Sequence, residues 1–88
     1  MKNDDANEFP SVARLKWACR RGMLELDVLL GNFLNGAYTD LSYEDKSLFI
    51  RLLDCSDPEL FTCLMGQEEP NDKTLLPIIN KIRKHARS

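Results

Sequence analysis

Apolar residues recur along this chain at helical spacing, and the spacing predicts five short helices. Residues three and four positions apart share one face of a helix, so the apolar members form a stripe that can pack on a core. No stretch shows the strict alternation of a half-buried strand. The stripes, in chain order, are Val12, Leu15, Ala18 and Cys19; Met23, Leu26, Leu30, Phe33, Leu34 and Ala37; Leu48, Phe49, Leu52 and Leu53; Leu60, Phe61, Leu64 and Met65; and Leu75, Ile78, Ile79 and Ile82.

Capping residues and helix breakers set the expected ends of these helices. Ser11 and Ser42 are expected N-caps of the first and third helices, and Asp57 of the fourth, with Pro58 at its first helical position. Gly22 and Gly66 are expected to end the first and fourth helices. The predicted helices cover residues 11–21, 23–36, 43–55 and 57–65, and a last one that starts at Asp72 or Thr74.

These patterns predict the fold class. We expect an all-α protein, a compact single-domain bundle of five short helices over residues 11–88. Residues 1–10 are polar up to Phe9 and show no periodicity, so they are expected to form a mobile N-terminal arm.

The junction between the first two predicted helices carries the most specific pattern in the chain. Gly22 lies between Arg20 and Arg21 on one side and Glu25 and Asp27 on the other. Glycine adopts positive φ without a Cβ penalty, so a kink is expected there. The arginines are expected in the last turn of the first helix and the carboxylates in the first turns of the second, where the helix dipoles favour each charge. Helix capping alone accounts for this pattern.

Two residues near this junction are unusual for their positions. Trp17 lies off the apolar stripe of the first helix, and an indole is usually part-buried. A core position is therefore expected for Trp17, with the rim of the Gly22 junction as the alternative. Gly31 weakens the second helix by up to ~1 kcal/mol relative to alanine, which close approach of a neighbouring helix would explain.

Composition narrows the class of protein. With 88 residues, of which 43% are apolar and 30% charged, the chain suits a small globular domain with no room for a deep active-site cleft. It has neither an apolar run long enough to span a bilayer nor a secretory signal, so we expect a cytoplasmic protein without a membrane span. Three cysteines without a CxxC pair suit buried thiols in a reducing compartment, and a single histidine argues against zinc.

The net charge of −2 conceals a division along the chain. Residues 1–22 carry five positive and three negative side chains, residues 23–72 carry two and eleven, and residues 73–88 carry five and none. An acidic middle argues against nucleic-acid binding by the body of the domain, because phosphate contact needs a positive face.

No catalytic site is predicted. Nucleophilic catalysis needs a base near a hydroxyl or thiol, and the only histidine, His85, lies in the basic C-terminal end. Cys19 has no resolving partner nearby in sequence, and the isolated glycines form no phosphate loop. A protein-binding module is the class that remains. The candidate surface is the exposed backbone at Gly22, with the Arg21 guanidinium as a donor to a partner's carboxylate or carbonyl.

Residues 17–27 carry an Arg-Gly-x-x-Glu motif at Arg21, Gly22 and Glu25. This stretch resembles the signature of the small flavinylation factors of succinate dehydrogenase, called SdhE in bacteria and succinate dehydrogenase assembly factor 2 in mitochondria. Three further stretches fit the same family pattern, at residues 41–46, 49–53 and 57–65. The resemblance covers residues 11–66, and the arm and the last helix match only loosely.

The resemblance implies a non-catalytic assembly factor that binds the flavoprotein subunit of succinate dehydrogenase and promotes covalent attachment of FAD to it. Fumarate reductase is a second candidate partner. The protein is expected to be a monomer with no catalytic residue, no metal and no tightly bound cofactor of its own. The implied partner-binding residues are Arg21, Gly22, Glu25, Trp17, Arg20 and Asp27.

Two other functions are compatible with such a small helical body. One is a regulatory binder, such as an antitoxin-like protein, which co-purification of the partner from cells would identify. The other is contact with RNA or an acidic lipid surface through the basic residues 81–87. Truncation after Ile82 would separate this last function from the others.

Overall fold

A computed structural model of the chain describes residues 9–87. Within them the chain forms five α-helices and no strand, which confirms the predicted all-α bundle. The helices are α1 (Val12–Ala18), α2 (Leu24–Gly36), α3 (Tyr43–Leu52), α4 (Asp57–Leu64) and α5 (Leu76–Arg87). Short 3₁₀ turns at Tyr38–Asp40 and Lys73–Leu75 precede α3 and α5. Apart from Phe9 and Pro10, the predicted arm lies outside the described residues.

The core lies between α2 and α5, the two longest helices. α2 packs against α1, α4 and α5, and α5 also packs against α3 and α4. Within the core, the ring of Phe49 packs against those of Phe33 and Tyr38, with centroid distances of 5.5 and 5.6 Å. The predicted stripes supply nearly all the buried side chains, and the stripe of α5 is buried completely. Of the predicted stripe residues, only Val12, Ala18 and Met65 are exposed.

Helix starts follow the local capping chemistry. The hydroxyls of Ser11 and Ser42 accept hydrogen bonds from the backbone N–H groups of Arg14 and Asp45, as predicted. The expected cap of α4 is wrong by one residue. Ser56, not Asp57, accepts the N–H of Glu59, because Ser56 is the extended residue before the helix, whereas Asp57 is already its first helical residue.

The start of α5 follows from two polar side chains and one proline. Asp72 caps the preceding 3₁₀ turn by accepting the N–H of Thr74, and the α-helix itself begins at Leu76. Pro77 then lies in the first turn, where its missing N–H leaves no helical hydrogen bond unmade.

Two predicted helix ends are too late in the chain. α1 ends at Ala18 and α3 at Leu52, whereas residues 21 and 55 were expected. Arg20 and Arg21 therefore lie in the connection to α2, not in a helical turn. Across residues 9–87, no helix combines the length and the apolar character needed to cross a bilayer.

One helix end requires glycine. Gly66 follows α4 with a φ of +78°, and the next N–H, from Gln67, donates to the carbonyl of Thr62 at 2.8 Å. A Cβ added to Gly66 would lie 2.6 Å from the Arg83 guanidinium. Glycine at this position therefore permits both the turn and the seating of Arg83 over the end of α4.

Candidate functional site

The Gly22 loop, defined here as residues 19–23, joins α1 to α2. Cys19 caps the end of α1, and Met23 precedes α2 in an extended conformation without capping it by its side chain. Asp27, in the first turn of α2, instead accepts a hydrogen bond from the backbone N–H of Arg21. This contact ties the loop to α2 and part-buries the Asp27 carboxylate. Asp27 thus lies at the start of α2, as predicted.

Gly22 does not have the backbone conformation that the sequence analysis expected. Among the described residues, Gly66 alone is a glycine with positive φ. Gly22 is exposed, and a Cβ added to it would meet nothing within 4 Å. Neither backbone strain nor space within the domain therefore requires glycine at position 22. The close approach expected at Gly31 is also wrong, since a Cβ there would likewise meet nothing within 4 Å.

The Arg21 side chain turns into the domain. Its guanidinium donates to the carbonyl oxygens of Leu53 and Cys55 and pairs with Asp57, with Nη1 lying 3.5 Å from the Asp57 carboxylate. The side chain is only 15% exposed, and its Nε is buried without a hydrogen-bond partner among the described residues. This differs from the expected presentation of the guanidinium to a partner, because nearby carbonyls already occupy its donors.

Three other candidates face solvent. Trp17 is 72% exposed, so its expected core position is wrong. Leu15 and Cys19, two positions to either side, point to the core and turn the indole to the opposite face of α1. The guanidinium of Arg20 lies 5.3 Å from the centre of the Trp17 ring. Glu25 is exposed on the first turn of α2 and makes no hydrogen bond or ion pair within residues 9–87.

The six predicted site residues therefore divide into two groups around the loop. Four face outward, and two are held inside by the protein's own groups. Their assignment to a partner surface stays a prediction. The outward group is Trp17, Arg20, Gly22 and Glu25, and the inward group is Arg21 and Asp27.

Two kinds of residue at this site were not predicted from the sequence. Leu24 and Val28 are 71% and 51% exposed on α2, and their position off the buried stripe of that helix was the available signal. The acceptors of Arg21 at Leu53 and Cys55 are backbone oxygens, so no side-chain pattern could have indicated them.

The thiol of Cys19, in the Gly22 loop, is not a reactive nucleophile. Cys19, the first residue of the loop, is buried, and burial raises the pKa of its thiol to about 11, with the positive charge of Arg21 opposing this only in part. A thiol with this pKa is protonated at neutral pH and is a poor nucleophile. In the part of the chain that the structure describes, His, Cys, Asp and Glu side chains form no group able to hold a metal ion.

The raised pKa of Cys19 predicts a loss of stability in alkali. An unfolded thiol ionises near its ordinary pKa of 9.0, whereas the folded one stays protonated up to about 11. The free energy of unfolding should therefore fall as the pH rises through this window, by on the order of 1 to 3 kcal/mol from this group. Urea unfolding of the parent and of Cys19→Ala at pH 8 to 11 measures the difference. Equal slopes for the two proteins would contradict the assignment.

Comparison with known proteins places the chain among relatives. Residues 13–86 match the model of a family described as a flavinator of succinate dehydrogenase. A FAD assembly factor SdhE from Shewanella oneidensis is 54% identical over 79 residues, which are 90% of this chain and 96% of that protein. Another, from Photorhabdus laumondii, is 51% identical over 76 residues, 86% of each chain.

A solved structure is similar over nearly the whole chain. The solution structure of a protein described as UPF0350 matches with a TM-score of 0.70 at 36% identity, over 99% of this chain and 87% of that one. The region matched by the family model includes the Gly22 loop together with the groups that hold Arg21.

Proposed function

This chain belongs to the family of succinate dehydrogenase flavinators, which are assembly factors and not enzymes, and from this we propose its function. We propose that it binds the flavoprotein subunit of succinate dehydrogenase and promotes covalent attachment of FAD to that subunit. The observation that carries the proposal is the 54% identity to a FAD assembly factor over 96% of that factor's length.

The outward residues in and beside the Gly22 loop support binding of a protein partner at this corner. Gly22 is exposed and has open space beyond its Cα, so a partner's backbone can approach it closely. Glu25 offers a carboxylate without an internal partner among the described residues, and Trp17 offers a large apolar surface beside Arg20. Exposed aromatic and arginine side chains of this kind are the residues most often found at the centre of protein interfaces.

The proposed mechanism is a shift of population in the partner. A factor that binds most tightly to the flavoprotein arranged for bond formation between a histidine and the flavin raises the fraction of molecules in that arrangement. To convert a 1:99 equilibrium to 99:1, the factor must prefer the competent state by about 5.5 kcal/mol, and a smaller preference gives a partial shift. FAD is then the substrate of the partner's reaction, and this chain contributes no acid, base or metal.

Further aspects of the function are part of the same proposal. We propose that the protein acts as a cytoplasmic monomer and holds no FAD tightly by itself. Fumarate reductase is proposed as a second partner.

Reconstitution with the purified flavoprotein subunit tests the function. Covalent flavin is measured by fluorescence of the denatured subunit, with free FAD present throughout and this protein either added or omitted. We expect attachment to proceed faster and further when the protein is present. Equal attachment in its presence and absence would refute the function.

Glu25→Ala tests the proposed surface, and Glu44→Ala is its matched control. Both glutamates are exposed at the second position of their helices, α2 and α3, so each loss should cost a similar ~0.3 to 1 kcal/mol of stability. Glu25→Ala alone should weaken flavoprotein binding, by about tenfold or more. Equal affinities for the two variants would show that Glu25 only stabilises the start of α2 and does not contact the partner.

A further inference from the structure

We infer that Arg21 and Asp27 are positioning residues, which hold the Gly22 loop in its binding shape and do not contact the partner. The inference rests on the proposed function for the identity of the partner. It assigns a different task to two residues of the signature stretch, including the arginine of the Arg-Gly-x-x-Glu motif itself.

The Arg21 guanidinium joins the loop to the turn between α3 and α4. Its acceptors at Leu53 and Cys55 are carbonyl oxygens just beyond the end of α3, and Asp57 is the first residue of α4. A cation is favoured beside the free carbonyls at a helix C-terminus. The guanidinium would have to abandon all three groups to reach a partner's carboxylate, leaving two part-buried carbonyls without this donor.

Asp27 fixes the backbone of the same residue from the other side. Its carboxylate accepts the Arg21 N–H, so the backbone of Arg21 is tied to α2 while its side chain is tied to α3 and α4. Gly22 follows immediately and is exposed, and a Cβ added to it would meet nothing within 4 Å. The position of Gly22 is therefore set through Arg21.

Fixing the loop in advance favours binding. Glycine has more conformational freedom than any other residue, and a free loop would have to become ordered when the partner binds. A loop already held in the bound shape avoids that loss of entropy, which is the general advantage of pre-organisation. Loss of either tie should therefore weaken binding even though neither side chain touches the partner.

Conservative substitutions separate positioning from contact. Asp27→Asn keeps an oxygen that can accept the Arg21 N–H but removes the charge, whereas Asp27→Ala removes both. We expect Asp27→Asn to restore most of the affinity for the flavoprotein subunit that Asp27→Ala loses. Arg21→Lys keeps the charge but lacks the planar guanidinium that reaches both carbonyls. We therefore expect Arg21→Lys and Arg21→Ala to bind the flavoprotein subunit equally weakly, each roughly tenfold more weakly than the parent.

Two outcomes would contradict the positioning role of Arg21 and Asp27. If Arg21→Lys bound normally, or if Asp27→Asn bound as weakly as Asp27→Ala, charge contact with the partner would be the role and the inference would be overturned. Ile79→Val removes one methyl group from a buried side chain outside the Gly22 loop. It therefore controls for a general loss of stability. Its affinity should equal the parent's at a temperature where every variant is folded.

A measurement without the partner distinguishes failure of this inference from failure of the proposed function. Amide hydrogen exchange at residue 21, whose N–H donates to Asp27, should accelerate in the free protein in Arg21→Lys and Asp27→Ala, and stay at the parent rate in Ile79→Val. Unchanged exchange in the first two variants would overturn the positioning role. Accelerated exchange in a protein that fails to bind the flavoprotein would sustain the positioning role and reject the partner.

Discussion

Replacing Gly22 by leucine is expected to reduce the affinity for the flavoprotein subunit by about a hundredfold or more, equivalent to ~2.7 kcal/mol. The free domain should keep its thermal midpoint within about 3 °C, because Gly22 is exposed, lacks positive φ and has space for a side chain. The loss should appear only in the complex, where a side chain separates the partner from the loop backbone. Calorimetric binding and thermal unfolding monitored by circular dichroism measure the two quantities.

Gly66→Ala provides the matched control for a glycine that the fold requires. Alanine at a φ of +78° is strained, and its Cβ would displace the Arg83 guanidinium. We expect a loss of about 1 to 3 kcal/mol in the free energy of unfolding, with normal partner binding while the protein is folded. If Gly22→Leu bound the flavoprotein normally, or lost as much stability as Gly66→Ala, position 22 would not be a docking point.

Phe49→Ala should cause the largest loss of stability. Phe49 is fully buried and its ring packs against those of Phe33 and Tyr38. Truncation of a buried phenylalanine costs about 3 to 5 kcal/mol, a large part of the ~4 to 13 kcal/mol expected for a domain of this length. Urea unfolding followed by circular dichroism measures the loss. Tyr43→Ala, which removes an exposed aromatic ring from the same helix, should cost less than about 1 kcal/mol. Similar losses for both would contradict the location of the core.

The helices and the core could be predicted because their signals are periodic and redundant. In α2, the buried residues Leu26, Leu30, Phe33 and Leu34 recur every three or four positions, so one stripe indicates both the helix and its inner face. Helix ends are set by single contacts and were less predictable. Arg20 and Arg21 are typical of a helix C-terminus, yet α1 stops before them and Arg21 bonds to groups beyond α3 instead.

The composition of the candidate site was predictable, but the direction of its side chains was not. The motif identifies the Gly22 loop, and Gly22 and Glu25 do face solvent there. Whether an arginine in a motif faces a partner or its own domain depends on which acceptors lie nearby. For Arg21 the acceptors include two main-chain carbonyl oxygens. Because every residue has such a carbonyl, the sequence does not indicate which ones will accept a hydrogen bond from Arg21.

The contacts of Arg21 also determine at which stage of synthesis the Gly22 loop can adopt its final shape. Its acceptors lie 32 to 36 residues further along the chain than the arginine itself. During translation the whole motif leaves the ribosome well before the groups that will hold it in shape, and a truncated chain ending ahead of Leu53 contains the motif but cannot assemble the loop around it. On the proposed function, the ability to bind the partner is therefore acquired only after the second half of the chain has been made.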